Sequence, residues 1–158
     1  MIKVTIEEAR SAFTAFTRIF EETKLDQKAT WRVSRLLGKL KNVARDYERS
    51  QLKLYKDAGG IIESRGIAME TLPSQQKDEA LSEYEARRDR YRERLNNLSD
   101  EIEALNQTGV EIDYDAIPLS MMPKERKNEK GEKEPVEYRA TDFAHAGAFI
   151  VDDSEKKE

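Results

Sequence analysis

Two stretches of the chain carry apolar side chains at alternating steps of three and four residues. The first runs Ala29, Val33, Leu36, Leu40, Val43, Tyr47, Ser50, Leu54, and the second Leu81, Tyr84, Arg88, Tyr91, Leu95, Leu98, Ile102, Leu105. On a helix this spacing draws one seam along one face, the a/d pattern of a coiled coil. Laid antiparallel, the seams pair Leu54 with Tyr84, Tyr47 with Tyr91, Leu40 with Leu98 and Val33 with Leu105. The polar slot Ser50 then falls opposite the charged slot Arg88. The pattern predicts a long helical hairpin.

The remaining elements follow from other periods. Ile2, Val4 and Ile6 alternate with polar residues, as in a short strand. Thr5 and Glu8 have capping-box spacing and open a helix with Ala9, Phe13, Phe16, Ile19 and Phe20 on one face. Asp26 is placed to cap the second helix, and Gly59-Gly60 to stop it. Gly38 inside that helix costs about 1 kcal/mol relative to alanine, and close packing by another helix or by Trp31 would account for it. Residues 59–73 form an apolar tip expected to fold back on the hairpin end or to contact something else. Pro73-Ser74 is expected to open the third helix, which runs to about Gln107. Val110, Ile112 and Tyr114 alternate again and are the expected partner of residues 2–6; Ile117-Pro118-Leu119 prolongs the extended run.

The sequence 124–134, KERKNEKGEKE, is almost pure charge and reads as a solvated loop or linker. Beyond it lies an apolar island of Val136, Tyr138, Phe143, Ala144, Ala146, Phe149, Ile150 and Val151, where Thr141-Asp142 is placed to cap one helical turn. Asp152 to Glu158 are expected to be disordered. The expected division is a helical-hairpin domain over 1–119 and a charged linker with a short apolar segment over 120–158. The fold class expected is mainly α: an antiparallel, coiled-coil-like hairpin, an additional N-terminal helix and a minor two-stranded sheet.

Composition supports long exposed helices around a thin core, with 37% hydrophobic and 38% charged residues. No apolar run approaches the ~20 residues that span a bilayer. Met1-Ile2-Lys3-Val4 lacks the apolar stretch of a signal peptide, so a cytoplasmic site is expected. Cysteine is absent, which excludes disulfides and thiolate chemistry in these 158 residues. The net charge of −4 hides an asymmetry. Residues 24–57 carry ten Lys/Arg against four Asp/Glu, 74–106 six against nine, and 107–158 eight against thirteen. A basic helix packed beside acidic segments is the simplest reading.

Catalytic chemistry finds little support. One histidine, His145, sits between alanines in the island. No metal-ligand spacing or phosphate-cradling glycine pattern is present, so no cofactor, metal site or enzyme activity is expected. Glu79, Glu83, Glu85 and Asp89 lie among arginines and read as salt-bridged surface. Two candidate surfaces remain. Phe143, Phe149 and Ile150, tethered beyond the charged run, are candidates for docking on a protein partner, on a second copy or on their own domain. Lys28, Arg32, Arg35 and Lys39 share one helical face, spaced 4-3-4, and are candidates for phosphate contact.

The run Phe13, Phe16, Ile19, Leu25, then Lys28-Ala29-Thr30-Trp31-Arg32-Val33, Arg35-Leu36, Lys39-Leu40 and Tyr47-Glu48 resembles a group of small phage and prophage proteins of uncharacterised function. The resemblance covers residues 2–119. It implies a short strand and helix, a charged helical hairpin and an extended segment like Val110-Glu111-Ile112-Asp113, together with a viral or prophage origin and hence a site in the host cytoplasm or on the virion. It brings no catalytic residues, and the charged insert at 124–134 has no counterpart in it. The expected function is non-catalytic action through protein–protein contacts, as a structural or assembly factor or an inhibitor of a host protein, with homo-oligomerisation open. A nucleic-acid-associated role for the basic face of the second helix is the alternative.

Overall fold

The computed structural model describes residues 1–23, 25–63, 66–122, 124–128, 130–136 and 138–153. Strand β1 (Ile2–Thr5) leads directly into helix α1 (Ile6–Glu22) through a complete capping box. The Glu8 amide donates to Thr5 Oγ1 at 3.1 Å, and the Thr5 amide donates to the Glu8 carboxylate at 2.7 Å. These bonds satisfy amides that a helix start leaves without partners. Helix α2 (Gln27–Asp57) begins behind Asp26, whose Oδ1 accepts from the Ala29 amide at 2.7 Å. It stops at Gly59, which adopts φ +88°, and Gly60, where a Cβ would lie 2.8 Å from the Tyr55 carbonyl oxygen.

A short hairpin follows, β2 (Ile61–Glu63) paired with β3 (Gly66–Ala68). Helix α3 (Leu81–Asn106) starts later than Pro73-Ser74 implies. The Gln76 amide donates to the Glu79 carboxylate at 3.0 Å, and Arg87 holds that carboxylate from the other side. This turn keeps residues 76–79 outside the helix. Next come β4 (Gly109–Ile112), β5 (Ile117–Pro118), β6 (Glu125–Lys127), β7 (Lys133–Pro135), α4 (Ala140–Ala146) and β8 (Ile150–Val151). The class is mainly α, with an N-terminal helix, an antiparallel helical hairpin and small two-stranded sheets. β1 pairs antiparallel with β4 in the register Ile2↔Ile112 to Thr5↔Gly109, the sheet that alternation predicted.

The chain divides into two units, 1–45 with 108–158, and 46–107. The boundary expected after residue 119 is therefore displaced, because the C-terminal island is part of the first unit. That unit holds a core of Ala9, Ala12, Ala15, Phe16 and Ile19 from α1, Val33, Leu36 and Leu40 from α2, and Ile112, Ile117, Met122, Ala146 and Phe149 from the C-terminal part. Alanine side chains allow close backbone approach, and α4 packs on α1. Phe149 meets Phe16 edge to face at 6.4 Å. Arg18 on α1 and Asp142 on α4 form an ion pair whose carboxylate is 5% exposed. β8 adds to β5 in parallel, Ile117 beside Ile150. Phe20, expected on the covered face, is 38% exposed.

The second unit, 46–107, contains the end of α2, the β2–β3 hairpin and α3. Tyr47, Ala58 and Leu98 are its buried side chains among the described residues, while Leu52, Ile61, Leu72 and Leu81 are exposed. The hairpin register drawn from the two seams is corrected here. Leu98 and Arg94 line a cavity with Asp57 and Ala58, where the drawn register sets Ala58 opposite Ala80. The shift is about four to five helical turns. In the first unit Val33, Leu36 and Leu40 of the same seam fill the core with Phe16 and Phe149. Ser50 is exposed, and Arg88 turns to Asp89 at 3.2 Å and to the ring of Tyr84.

Within the charged stretch the described residues include a paired segment, so it is an ordered, solvated loop rather than a plain linker. β6 pairs with β7, the Asn128 side chain accepts from the Lys130 and Glu132 amides at 3.0 Å, and Lys133 pairs with Glu125 at 3.1 Å. Local turn bonds supply what a buried face normally would. Thr141-Asp142 does not cap α4: Arg139 holds the cap position without a side-chain bond, and Asp142 faces Arg18. At the C-terminus Asp153 accepts from the Ser120 amide at 3.0 Å. The expectation of disorder for the tail otherwise falls on residues 154–158, outside the described ones.

Two outcomes test this packing. A Cβ at Gly38 would meet nothing within 4 Å, so close packing does not explain the glycine. Gly38→Ala should stabilise the protein by about 1 kcal/mol in a denaturant titration. Phe149→Ala should cost about 3–5 kcal/mol, since the ring is fully buried; an unchanged unfolding midpoint would remove the island from the core.

Candidate functional site

The basic face of α2 and the segment after β4 together form an open groove of about 310 Å³, lined by Trp31, Arg32, Arg35, Lys39, Asp113, Tyr114 and Asp115. Its construction starts from the α2 seam. Ala29, Val33 and Leu36 are buried, so Trp31, two residues from either neighbour in that seam, lies about 200° around the helix from each. It is 58% exposed. Arg35, one turn on, places its guanidinium 4.7 Å from the centre of the indole.

The other wall is set by a tight turn. The Tyr114 amide donates to the Ile112 carbonyl at 2.8 Å, bending the chain as it leaves β4. The Tyr114 hydroxyl then donates to the Arg32 carbonyl at 2.7 Å and fastens this segment to α2. Burial pushes the Tyr114 phenol above its ordinary pKa, against the opposite pull of Arg32 and Arg35. The turn sets Asp113 and Asp115 on the groove wall. Lys39 Nζ lies 3.8 Å from Asp113, whose side chain is 91% exposed, a pair of small energetic weight. Arg32 Nη1 approaches the Met121 sulfur at 3.9 Å.

Of the four candidate phosphate-binding residues, Arg32, Arg35 and Lys39 share this groove, and Lys28 is exposed but does not line it. Two carboxylates interrupt the stripe. The three candidate docking residues of the tail are placed differently. Phe149 is fully buried, Ile150 is half-buried beside Ile117, and Phe143 is half-buried against Tyr138 at 5.1 Å. They act inside their own unit. His145 is exposed, and among the described residues no group of three or more metal-ligating side chains converges. Among the same residues no helix is long and apolar enough to cross a membrane.

Sequence reasoning passed over Trp31 as a surface residue, although its offset from the seam was available as a signal. Asp113, Tyr114 and Asp115 had no such signal, because their approach to α2 depends on a turn and on the β1–β4 register.

No protein-family model, curated protein or solved structure matches the chain.

The tail carries one measurable electrostatic mark. Burial raises the Tyr138 phenol to about 12, from an ordinary value of 10. The unfolded chain therefore ionises first. The stability tied to the neutral phenol is complete below pH 10 and declines as pH rises from 10 towards 12. An ultraviolet titration of the native protein should find the Tyr138 phenol, identified by its loss in Tyr138→Phe, ionising towards pH 12, and the melting temperature should fall across that window. Ionisation of Tyr138 near pH 10 would show the tail undocked.

Proposed function

We infer that this protein is a non-catalytic binding protein that acts through protein–protein contacts, with the groove around Trp31 as its contact surface. The carrying observation is the exposed indole stacked by Arg35. Tryptophan and arginine dominate the energetics of protein interfaces because they combine large area with directed polar groups. A single exposed apolar side chain is ordinary on a protein surface. A tryptophan in a groove with cations on one side and carboxylates on the other is better suited to a partner of mixed charge.

Asp113 and Asp115 also favour a protein over a nucleic acid. A phosphate backbone following Arg32, Arg35 and Lys39 would pass both carboxylates, and repulsion there offsets the gain from the cations. The resemblance of residues 2–119 to phage and prophage proteins supports a viral origin and a partner in phage or host machinery, as an assembly factor or an inhibitor. Self-association is the other protein contact this reading allows, and light scattering tests it.

Trp31 is the only tryptophan, so intrinsic fluorescence reports on the groove directly. A partner captured from host or infected lysate by the full chain should survive nuclease treatment and shift the Trp31 emission. It should bind Trp31→Ala at least about tenfold more weakly, the loss expected of an interface hot spot. Retention that disappears with nuclease would transfer the function to nucleic-acid contact through the basic face. Undiminished binding to Trp31→Ala would remove the groove from the interface.

A further inference from the structure

A second site lies in the 46–107 unit and is independent of the Trp31 groove. Arg87, Arg90 and Arg94 occupy positions i, i+3 and i+7 of α3, so their guanidiniums stand on one helical face. With Glu70, Pro73 and Tyr91 they line a cavity of about 270 Å³. The three arginines are in different states. Arg87 is locked: its Nε and Nη2 grip the Glu79 carboxylate at 2.9 and 2.7 Å, and Nη2 also donates to the Ser74 carbonyl at 2.8 Å. The hydrogen bonds from Arg87 and from the Gln76 amide hold the Glu79 carboxyl below its ordinary range. Arg94 is loosely held, by a 2.7 Å contact with Glu70, whose side chain is 64% exposed. Arg90 makes no hydrogen bond or ion pair among the described residues.

The backbone around Glu70 is fastened separately from its carboxylate. The Tyr91 hydroxyl donates to the Glu70 carbonyl at 2.7 Å. The Glu70 side chain can therefore leave Arg94 while the cavity wall stays in place. An exposed ion pair of this kind is weak and readily exchanged for a better anion.

We propose that this cavity binds a small phosphate-bearing anion, a phosphate monoester or pyrophosphate, with Arg90 as the standing ligand and Arg94 released to it by Glu70. A carboxylate is satisfied by one guanidinium fork, whereas a tetrahedral dianion presents oxygens to two guanidiniums at once. Once Glu70 moves away, the wall offers two free cations, which matches that charge. The cavity is larger than a single inorganic phosphate, leaving room for a substituent beside Pro73 and Tyr91. A long polyanion fits less well, because Glu83, Glu85, Asp89 and Glu93 punctuate the same helix.

The test is calorimetric titration of the full chain with pyrophosphate and inorganic phosphate at low salt. Saturable binding is expected, tighter for pyrophosphate. Arg90→Gln should weaken it at least about tenfold while leaving the melting curve unchanged, since Arg90 holds nothing in the fold. Glu70→Gln should strengthen it, because it removes the competing carboxylate. Arg35→Gln, in the other groove, should leave it unaltered. Absence of saturable binding up to about 10 mM, equal binding by Arg90→Gln, or weaker binding by Glu70→Gln would overturn the site. A single-stranded oligonucleotide that binds more tightly than pyrophosphate would overturn the small-anion assignment.

Discussion

The contact on which the first unit depends is the seating of the C-terminal island against α1. Phe149 meets Phe16 in the centre of the core, Ala146 packs nearby without exposure, and Ile150 pairs with Ile117. Around this apolar contact stands the Arg18–Asp142 pair. Burying a carboxylate is costly unless a cation accompanies it, so the pair adds little net stability and much orientation. It admits one placement of α4 on α1, because any other leaves Asp142 buried without its guanidinium.

Local features of the fold were legible where one short stretch determines them. The Thr5–Glu8 box, the Asp26 cap, the Gly59-Gly60 stop and the alternation of β1 and β4 each express chemistry confined to a few residues. The hairpin register was not legible. Ala29, Val33, Leu36 and Leu40 have a spacing that any apolar partner satisfies, and the partners present are α1 and the island. The order within the charged run 124–134 was not legible, because it comes from turn bonds of Asn128 and strand pairing rather than from burial. For the site, helical spacing gathered Arg32, Arg35 and Lys39 correctly. The carboxylates that change their meaning arrive from residues 113–115, about eighty positions away in sequence.

The two units differ in how they are held. The first has a contiguous core, whereas among the described residues of 46–107 Tyr47, Ala58 and Leu98 are the buried side chains and many apolar groups stay half in water. Order in that unit rests more on polar contacts, among them Arg87 with Glu79 and Tyr91 with the Glu70 carbonyl. Regions built this way open locally at lower cost than a packed core. The surroundings of the arginine cavity are thus the part of the molecule best able to adjust around a ligand.

The interleaving of the two units has a consequence for the order of events at the ribosome. Residues 46–107 are continuous and find their partners within their own stretch. The other unit is not: β1 waits for β4, and Phe16 waits for Phe149, almost the whole length of the chain. Contacts so distant in sequence form late, since loop closure precedes any gain from burial. During synthesis Val33, Leu36 and Leu40 of α2 follow α1 at once and can cover part of its apolar face, but the part that Phe149 and Ala146 cover stays open until their segment arrives. In that interval nascent chains are exposed to one another and to chaperones, and a stall or cut before residue 149 leaves the same part open.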